Sequence, residues 1–510
     1  MKYSIDVEQI LHKSFSKTTI GLSLAGVATL VLSGIFVKRK VQALEKLSPD
    51  QSLGLITINK KPPGLVNFGN TCFVNSVLQA LASMPKFIQN LEELCQYDEI
   101  KESKERNGNG KKDKKQINTI KKQKNKVLGI KEQSHLICKE LLNILHVLND
   151  ENMGNEDFYY QPHNLINLLE ETNDYLSFRE QQDSHEVLKL IINCFEDTLK
   201  KGNYQKYDLV NISKKEFTLS NSLLGYMNTY LQCLACDRKF NNRIEAFYDL
   251  SLDILDRSIA SLEDSIKHYF QEEYIDDVQC LNCSINVFIK EKENKIKYLT
   301  AQFQKNSDSN ILESISKINE QIDYIKTVGN KSLIETEDVV GGITKMISEQ
   351  VQGLKQEYKA QIQSPFCVLK RQIKKVQKIS KTPQILILHL KRLVINPQTG
   401  FPIKIGDFIK FDEQLRLDQT LGLKKKENIQ TYHLSSLISH LGNDNFGHYV
   451  TLRRIWHQNY QPYFSEKVNK TQYTKSLWYL TSDREIRYIE KADVLKVRAY
   501  ILFYEKMESE

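Results

Sequence analysis

The chain has 510 residues, of which 40% are hydrophobic and 26% charged, as in globular proteins long enough to bury a large core. Its formal net charge of +8 equals the excess of twelve Lys/Arg over four Asp/Glu within residues 101–132 alone, which excludes a protein-wide field for nucleic acid. Nine cysteines at irregular spacing exclude a secreted disulfide scaffold and favour a reducing compartment with reactive or metal-bound thiols.

The N-terminal region contains one long apolar run. The twenty residues 18–37 carry no charge and are followed by three consecutive basic residues. At a rise of ~1.5 Å per residue, a helix of this length spans ~30 Å, the thickness of a hydrocarbon core. We expect a transmembrane helix at 18–37, between an N-terminal segment 1–17 and a juxtamembrane linker 38–61. The other interpretations are a cleaved signal peptide, whose apolar region is usually shorter, and a core helix, which would show a polar face.

The orientation of this anchor follows from its flanks. Basic residues slightly predominate after the run, so the positive-inside rule places the rest of the chain in the cytosol. A single modest anchor with basic flanks suits the outer mitochondrial membrane or the endoplasmic reticulum.

A candidate nucleophile follows the linker. Glycines and asparagines form an irregular loop up to Thr71, and an apolar-periodic helix begins at Cys72. A cysteine at a helix N-terminus is expected to have a lowered pKa, and backbone N–H groups there can bind an oxyanion together with a side-chain amide. Asn67 is the candidate amide donor. The other interpretation of Cys72 is a small apolar residue that starts a core helix.

This segment, Gly64–Gln79, resembles the cysteine box of the ubiquitin-specific protease family, G-x-x-N-x-G-N-x-C-[FY]-[MV]-N-S-x-L-Q, at every fixed position. The resemblance implies that Cys72 is the nucleophile and that Asn67 stabilises the oxyanion. It also implies an α+β, papain-like fold with a helical thumb, a β-rich palm and zinc-ribbon fingers, here behind the transmembrane helix. The similarity covers a catalytic domain at 62–506, less two insertions.

The two insertions differ in character. Residues 101–133 are rich in Lys, Asn and Gly and almost without apolar periodicity, which predicts a basic disordered loop. A solvated insertion is the default interpretation, and a patch for a membrane surface or for nucleic acid is the alternative. Residues 290–364 are predicted to be helical, because five isoleucines follow a 4-3-4-3 spacing from Ile311 to Ile325. A second amphipathic stretch follows Gly341 and Gly342, from Ile343 to Leu354. A helical hairpin that packs on itself is the simpler interpretation, and partner binding is the alternative.

Two acidic residues are candidates for binding the substrate. Asp183 and Glu186 belong to Gln181–Leu188, which resembles the family's Q-Q-D-[AS]-H-E-[FV]-L box. Their i, i+3 spacing predicts one helix face, where they would pair with the basic C-terminal tail of ubiquitin. A solvated acidic face is the alternative.

Four cysteines form two C-x-x-C pairs, Cys233 with Cys236 and Cys280 with Cys283. This spacing predicts a closed tetrahedral zinc site with four thiolate ligands, structural because no coordination position stays open. Strands are expected on its flanks, at Tyr226–Leu231 and Ile285–Ile289. A redox role is disfavoured because neither pair is expected to open an apolar helix after a strand, and four unrelated buried thiols remain the other alternative. The resemblance implies that this site ties the tips of the fingers.

The C-terminal third carries the candidate base. The segment Tyr432–Val450 resembles the family's histidine box, which implies that His448 is the general base and that His440 lines the channel for the substrate tail, where Tyr449 also lies. Gly447 would let the chain approach closely. Without the resemblance, a structural role would be the commoner one for any single histidine.

The third catalytic position departs from the family pattern. The family has Asp or Asn four residues after a Trp, and the position after Trp478 is Ser482, followed by Asp483. A serine hydroxyl can accept a hydrogen bond from Nδ1 of the histidine but carries no charge. Ser482 is the preferred orienting residue, and Asp483 taking or sharing this role is the alternative.

Together these segments predict a membrane-anchored deubiquitinating thiol protease whose partners are ubiquitin, ubiquitinated membrane proteins and the membrane, with no nucleic acid. The order of the segments, with the anchor directly before the cysteine box, resembles that of the family member in the outer mitochondrial membrane. That member opposes ubiquitin-driven mitophagy. That resemblance favours the mitochondrial outer membrane over the endoplasmic reticulum. The alternatives are a catalytically silent ubiquitin-binding scaffold and a thiol hydrolase of a ubiquitin-like modifier.

Overall fold

The structure is a computed structural model. It describes eleven stretches of the chain: residues 61–108, 130–150, 158–173, 180–201, 221–254, 261–331, 366–395, 400–418, 429–442, 447–456 and 476–507.

The helices of this part of the chain, in chain order, are α1 (Cys72–Leu81), α2 (Pro85–Gly108), α3 (Ile130–Asn149), α4 (His163–Thr172), α5 (Ser184–Lys201), α6 (Leu262–Tyr269), α7 (Leu281–Asn306), α8 (Ser309–Lys331) and α9 (Lys491–Val494).

The strands are β1 (Gly64–Leu65), β2 (Tyr159–Tyr160), β3 (Gly225–Cys233), β4 (Lys239–Phe247), β5 (Asp249–Asp253), β6 (Glu273–Gln279), β7 (Lys370–Lys381), β8 (Ile385–Lys391), β9 (Leu393–Ile395), β10 (Pro402–Lys404), β11 (Gln414–Leu417), β12 (Gln430–Gly442), β13 (Gly447–Trp456), β14 (Ser476–Ser482), β15 (Glu485–Ile489) and β16 (Ile501–Lys506).

An eight-stranded sheet forms the centre, in the order β15-β14-β13-β12-β16-β8-β5, with β11 paired to β12. Its pairs are antiparallel except β5 with β8. β8 is buried on both faces, which explains its unbroken apolar run Ile385–Leu388. Ile385 and Ile387 pack with α1 to α5, whereas Leu386 and Leu388 pack with α6 on the other side. The predicted α+β class is therefore confirmed.

Polar side chains of the sheet fix the helix that begins at Cys72. The hydroxyl of Thr451 donates to the carbonyl of Ser76 at 2.7 Å, and that of Ser436 donates to the carbonyl of Ala80 at 3.1 Å. The buried guanidinium of Arg453 donates to the Gln79 side chain at 2.8 Å. Because these contacts are buried, breaking one leaves an unsatisfied polar group, so α1 is held in register on β12 and β13.

A second sheet, in the order β4-β3-β7-β6, carries the paired cysteines at its end. The strand predicted at Tyr226–Leu231 is confirmed within β3. The strand predicted at Ile285–Ile289 is wrong, because these residues lie in α7. The physical reason is that Ile285 and Phe288 recur at helical spacing and bury one face of a helix against Ile325 of α8.

The helix pair α7 and α8 contains the isoleucine series seen in the sequence. Ile311, Ile318, Ile322 and Ile325 are each no more than 5% exposed, and they pack against the facing side of α7. The helical interpretation of the described part of the insertion, residues 290–331, is confirmed, and α8 packs on α7. The second half of the predicted hairpin, residues 343–354, lies outside the described residues.

Other predicted features fall at or beyond the limits of the described residues. Residues 101–108 continue α2 and residues 130–133 begin α3, so the loop predicted at 101–133 is shorter at both ends, and 109–129 lie outside the described part. The transmembrane helix predicted at 18–37 also lies outside it. Within the described stretches, no helix has the length and apolar character needed to cross a membrane.

Candidate active site

Cys72 is the first residue of α1, as predicted, and is only 4% exposed. The loop before it is closed by its own side chains. The backbone N–H of Thr71 donates to Oδ1 of Asn67 at 2.9 Å, and the N–H of Phe68 donates to the Thr71 hydroxyl at 3.0 Å. Gly69 has a φ of +110°, a conformation that side chains rarely adopt, which explains a glycine in this turn.

The electrostatic surroundings of the thiol differ from the prediction. Burial raises the pKa of Cys72 above its ordinary value, and the charge of Asp483 raises it further, although backbone hydrogen bonds of Tyr449 and Phe73 act to lower it. The expected lowering by the helix N-terminus is therefore wrong in its net direction, because desolvation of the thiolate is the larger effect. The thiol depends on a neighbouring base for its deprotonation.

His448 is the second residue of β13, the strand on which α1 packs, and it directly precedes Tyr449, whose backbone contacts the thiol. Its Nε2 lies 2.9 Å from the Ser482 hydroxyl and 3.8 Å from Oδ2 of Asp483. Ser482 therefore occupies the predicted contact with the imidazole. The prediction that Nδ1 makes this contact is wrong, since the ring presents Nε2 to Ser482.

Asp483 links several parts of the site. It has a positive φ of 52° in the turn between β14 and β15, and its carbonyl accepts a hydrogen bond from the N–H of Leu65 at 2.9 Å. Its carboxylate accepts from the side-chain amides of Asn67 and Asn75, each at 2.8 Å. Asn75 was not among the predicted site residues, although it lies within the quoted cysteine segment.

The two predicted acidic substrate-binding residues have different partners. Asp183 lies one residue before α5, where it accepts from the N–H of His185 at 2.8 Å and caps the helix. Its carboxylate also accepts from the hydroxyl of Tyr500, at 2.6 and 2.7 Å. Glu186 is exposed and pairs with Lys189 at 3.1 Å. Asp183 is therefore the N-cap of the helix that contains Glu186, and their joint pairing with the basic substrate tail stays a prediction.

His440 and Tyr449 face each other across β12 and β13, with stacked rings whose centroids are 4.4 Å apart. Burial, with the charges of Lys404 and His448, lowers the pKa of His440 to about 4, so its ring is neutral at pH 7. The ring of Tyr449 lies 6.0 Å from that of Tyr500. An aromatic wall thus runs from His440 to the Tyr500 hydroxyl that holds Asp183.

Gln181 bridges this wall to the strand of His448. Its side-chain amide donates to the carbonyl of Gly447 at 2.9 Å and lies 3.5 Å from Nε2 of His440. A Cβ on Gly447 would lie 1.9 Å from Nε2 of His440, so the close approach predicted for Gly447 is confirmed. Gln181 and Tyr500 are site residues that were not predicted, although Gln181 lies in the Gln181–Leu188 segment that resembles the family.

The four paired cysteines come together. Their sulfur atoms all lie within 4.8 Å of one another, and the Sγ atoms of Cys233 and Cys283, and of Cys236 and Cys280, are 3.7 Å apart. Zinc bound to four thiolates at ~2.3 Å in a tetrahedron requires sulfur atoms about 3.8 Å apart, so this arrangement fits zinc.

The surroundings of the cluster hold its two loops together. The Arg238 guanidinium donates to Oδ1 of Asn282 at 2.8 Å, between the two pairs. Burial acts to raise the pKa of Cys236, but hydrogen bonds of the Asn282 side chain and the Arg238 backbone outweigh it and lower that pKa to about 7. Cys280 follows β6 and is the N-cap of α7, so the expectation that neither pair opens a helix after a strand is wrong. The proximity of all four sulfur atoms still favours a metal site over an isolated redox pair.

The sequence is similar to a known protein family and to several of its members. The sequence profile described as "Ubiquitin carboxyl-terminal hydrolase" matches residues 63–504. "Ubiquitin carboxyl-terminal hydrolase 30" of Danio rerio is 23% identical over 88% of this chain and 86% of its own length. "Ubiquitin carboxyl-terminal hydrolase 16" of Saccharomyces cerevisiae is 24% identical over 90% of this chain and 91% of its own length.

One solved structure shows the shared fold. The Ubp8/Sgf11/Sus1/Sgf73 deubiquitinating module of SAGA, bound to ubiquitin aldehyde, contains a chain that matches with a TM-score of 0.50 and 20% identity. The match covers 95% of this chain and 77% of that one.

Proposed function

Because the chain belongs to the ubiquitin carboxyl-terminal hydrolase family, we propose that it is a deubiquitinating cysteine protease that hydrolyses isopeptide bonds at the C-terminal glycine of ubiquitin. The observation that carries the proposal is the position of Cys72 at the start of a helix packed on the strand of His448, whose Nε2 contacts Ser482. The relatives named above, hydrolases of the ubiquitin C-terminus by name, support the same activity.

The first half of the reaction forms a thioester. Nδ1 of His448 takes the proton of the Cys72 thiol, whose raised pKa makes this base necessary. The thiolate attacks the glycine carbonyl carbon, and the carbonyl oxygen becomes an oxyanion. The Asn67 amide has two hydrogens, and one is bound to Asp483, so the other would donate to the oxyanion together with backbone N–H groups. The C–N bond then breaks, and His448 protonates the departing lysine amine.

The second half releases ubiquitin. His448 removes a proton from water, the hydroxide attacks the thioester carbonyl, and the C–S bond breaks to restore the thiol and free the glycine carboxylate. Ser482 and Asp483 keep the imidazole oriented through both halves. On the ubiquitin side, Asp183 and the aromatic wall of His440 and Tyr449 would line the channel for the extended C-terminal tail.

We place zinc in the four-cysteine site as a structural ion. Cys233, Cys236, Cys280 and Cys283 would hold it, and its contribution is to cross-link the end of the β3/β7 sheet to the start of α7. It takes no part in the chemistry, since all four coordination positions belong to the protein. The sheet above it would grip the folded body of ubiquitin.

For location, we propose a single-pass anchor at residues 18–37 in the outer mitochondrial membrane, with the catalytic domain in the cytosol. The support is the uncharged run and the basic residues that follow it. Ubiquitinated mitochondrial membrane proteins would then be the substrates, and their deubiquitination would oppose mitophagy. Fractionation and alkaline extraction of the full chain, beside a chain lacking residues 1–61, test this. Extraction of both into the soluble fraction contradicts the anchor, and recovery with the endoplasmic reticulum contradicts the location.

The test of the activity uses ubiquitin with a C-terminal electrophile. We expect covalent labelling of the full chain, retained in Cys367→Ala, which changes an exposed cysteine, and lost in Cys72→Ala. Binding of ubiquitin without labelling would show a silent scaffold instead. Labelling only by a different ubiquitin-like modifier would show that the chain is a thiol hydrolase with the same mechanism and a different substrate.

A further inference from the structure

Four side chains surround the nucleophile loop away from the aromatic wall of the tail channel. They are the leaving-group ledge, formed by Phe68, Tyr159, His163 and Arg484. Phe68 follows the candidate oxyanion donor Asn67, and Arg484 follows Asp483. We propose that this ledge binds the segment of the ubiquitinated partner that carries the modified lysine, and that it favours an acidic residue beside that lysine. This inference rests on the proposed function.

The ledge is connected through the backbone to the catalytic groups. β1 pairs with β2, which places Gly64 opposite Tyr159, and the N–H of Leu65 donates to the carbonyl of Asp483 at 2.9 Å. A Cβ on Gly64 would lie 2.4 Å from the carbonyl oxygen of Arg484, so the backbone of Arg484 is packed tightly against β1. The ledge therefore has a fixed position relative to Cys72 before any substrate arrives.

Its side chains include exposed aromatic rings on the nucleophile loop and on the neighbouring strand β2. Phe68 is 43% exposed and Tyr159 is 38% exposed. The ring of His163 lies 5.6 Å from that of Phe68, and the exposed guanidinium of Arg484 lies 5.4 Å above the ring of Tyr159. A Cβ on Gly69 would meet nothing within 4 Å, so the space beside Phe68 is open.

The position of the ledge suits binding of the part of the substrate that leaves with the lysine amine. The groups proposed for the ubiquitin tail, Asp183, His440, Tyr449 and Tyr500, form one connected set through ring contacts and the Tyr500–Asp183 hydrogen bonds. An isopeptide has two sides, and we assign the lysine-bearing side to β1, β2 and the Asp483–Arg484 turn, because these elements adjoin the nucleophile loop and are not part of that connected set. The exposed rings of Phe68 and Tyr159 can pack on the lysine-bearing chain, and the positive charge of Arg484 favours an acidic residue in that chain.

The test compares two substrates that share ubiquitin and differ in the leaving group. One is ubiquitin joined at its C-terminus to 7-amino-4-methylcoumarin, and the other is ubiquitin joined through an isopeptide to a lysine peptide with Glu on either side. For Phe68→Ala and Arg484→Ala, we expect kcat/KM on the peptide conjugate to fall roughly tenfold more than on the coumarin conjugate. Truncation of these exposed side chains leaves no buried cavity, and Tyr298→Ala, which removes an exposed aromatic ring on α7, is the matched control that should leave the ratio unchanged.

A charge reversal gives the sharper outcome. For Arg484→Glu, the preference between conjugates with Glu beside the lysine and conjugates with Lys there should reverse, which a merely structural role would not produce. If the wild-type chain cleaves both substrate types and neither variant changes their ratio, the ledge inference is wrong and the proposed function stands. If the wild-type chain cleaves neither, the proposed function itself fails.

Discussion

The carboxylate of Asp483 accepts a hydrogen bond from the side-chain amide of Asn67 at 2.8 Å, across 416 positions of the chain. This contact joins the candidate oxyanion donor to the turn that also presents Ser482 to His448. Through it, any change at Asp483 alters both the orientation of the imidazole and the position of the amide.

Alanine substitutions separate the roles of Ser482 and Asp483. Ser482→Ala removes one hydrogen bond to the imidazole, and we expect kcat to fall about tenfold. Asp483→Ala releases two amides and removes a charge 3.8 Å from Nε2, so a fall of about 100-fold is expected. Steady-state hydrolysis of ubiquitin-coumarin measures both, with melting temperatures as a check of folding. If only Asp483→Ala reduces turnover, Ser482 does not orient the histidine.

The titration of the Cys72 thiol is the second prediction. Because burial and the charge of Asp483 raise its pKa, alkylation by iodoacetamide in the free enzyme should keep accelerating above the pH at which an ordinary cysteine reaches its plateau. Asp483→Asn removes that charge and should move the midpoint to lower pH. Alkylation must be assigned to Cys72 by mass spectrometry, and a midpoint below that of a free cysteine would contradict the effect of burial.

Much of the site follows from local pattern. The turn at Gly69, the helix that starts at Cys72 and the strand of His448 are each encoded within about ten residues, where spacing of apolar residues and glycines determines the structure. The helix α8 was equally predictable, because its buried isoleucines keep one helical spacing over four turns.

The remaining features depend on contacts between distant segments. No local pattern shows that Tyr500 holds Asp183, 317 positions earlier, or that Nε2 of His448 contacts Ser482. Desolvation of Cys72 likewise depends on what packs over it, so the sign of its pKa shift could not be obtained from helix position alone. The spacing of apolar residues in the short run Ile285–Ile289 is compatible with a strand or a helix. Packing against Ile325 determines that it is helical.

Gly447→Ala tests the close contact between β13 and His440. The new Cβ would lie 1.9 Å from Nε2 of His440 and 2.7 Å from the carbonyl oxygen of Leu441, so the stacked ring and the strand end must move. We expect a destabilisation of about 1–3 kcal/mol in urea unfolding and a higher KM for ubiquitin substrates. Gly406→Ala is the matched control, since its Cβ would meet nothing nearer than 3.8 Å. Equal behaviour of the two variants would count against the contact.

Removal of the metal should affect binding of ubiquitin more than chemistry. We expect one zinc per chain by elemental analysis, and its loss in Cys236→Ser with a raised KM and a smaller change in kcat. Cys367→Ser, outside the cluster, should retain zinc and activity. Full activity of a zinc-free wild-type chain would show that the ion is dispensable.

Glu505 gives a pH dependence of stability. Burial raises its pKa from 4.5 to about 7, although Lys86 acts in the opposite direction. Because the folded pKa lies above the unfolded one, the stabilising contribution is complete below pH 4.5 and is lost as the pH rises through about 7. The loss is at most about 3 kcal/mol. Urea unfolding of wild type and Glu505→Gln at pH 5 and pH 8 measures it, and the substitution should flatten the difference. An unchanged difference in Glu505→Gln would assign the pH dependence to other groups.

The position of Cys280 as the N-cap of α7 has a mechanical consequence for the helix pair α7 and α8. A helix of 26 residues extends about 39 Å, and its N-cap Cys280 and first-turn residue Cys283 are two of the four candidate ligands, so a bound zinc ion would fix the direction of the helix at its base. A tilt of about 5° at the base of a helix this long would move its far end by about 3 Å. Loss of that ion would therefore change the position of the far end of the helix pair as well as the cysteine cluster.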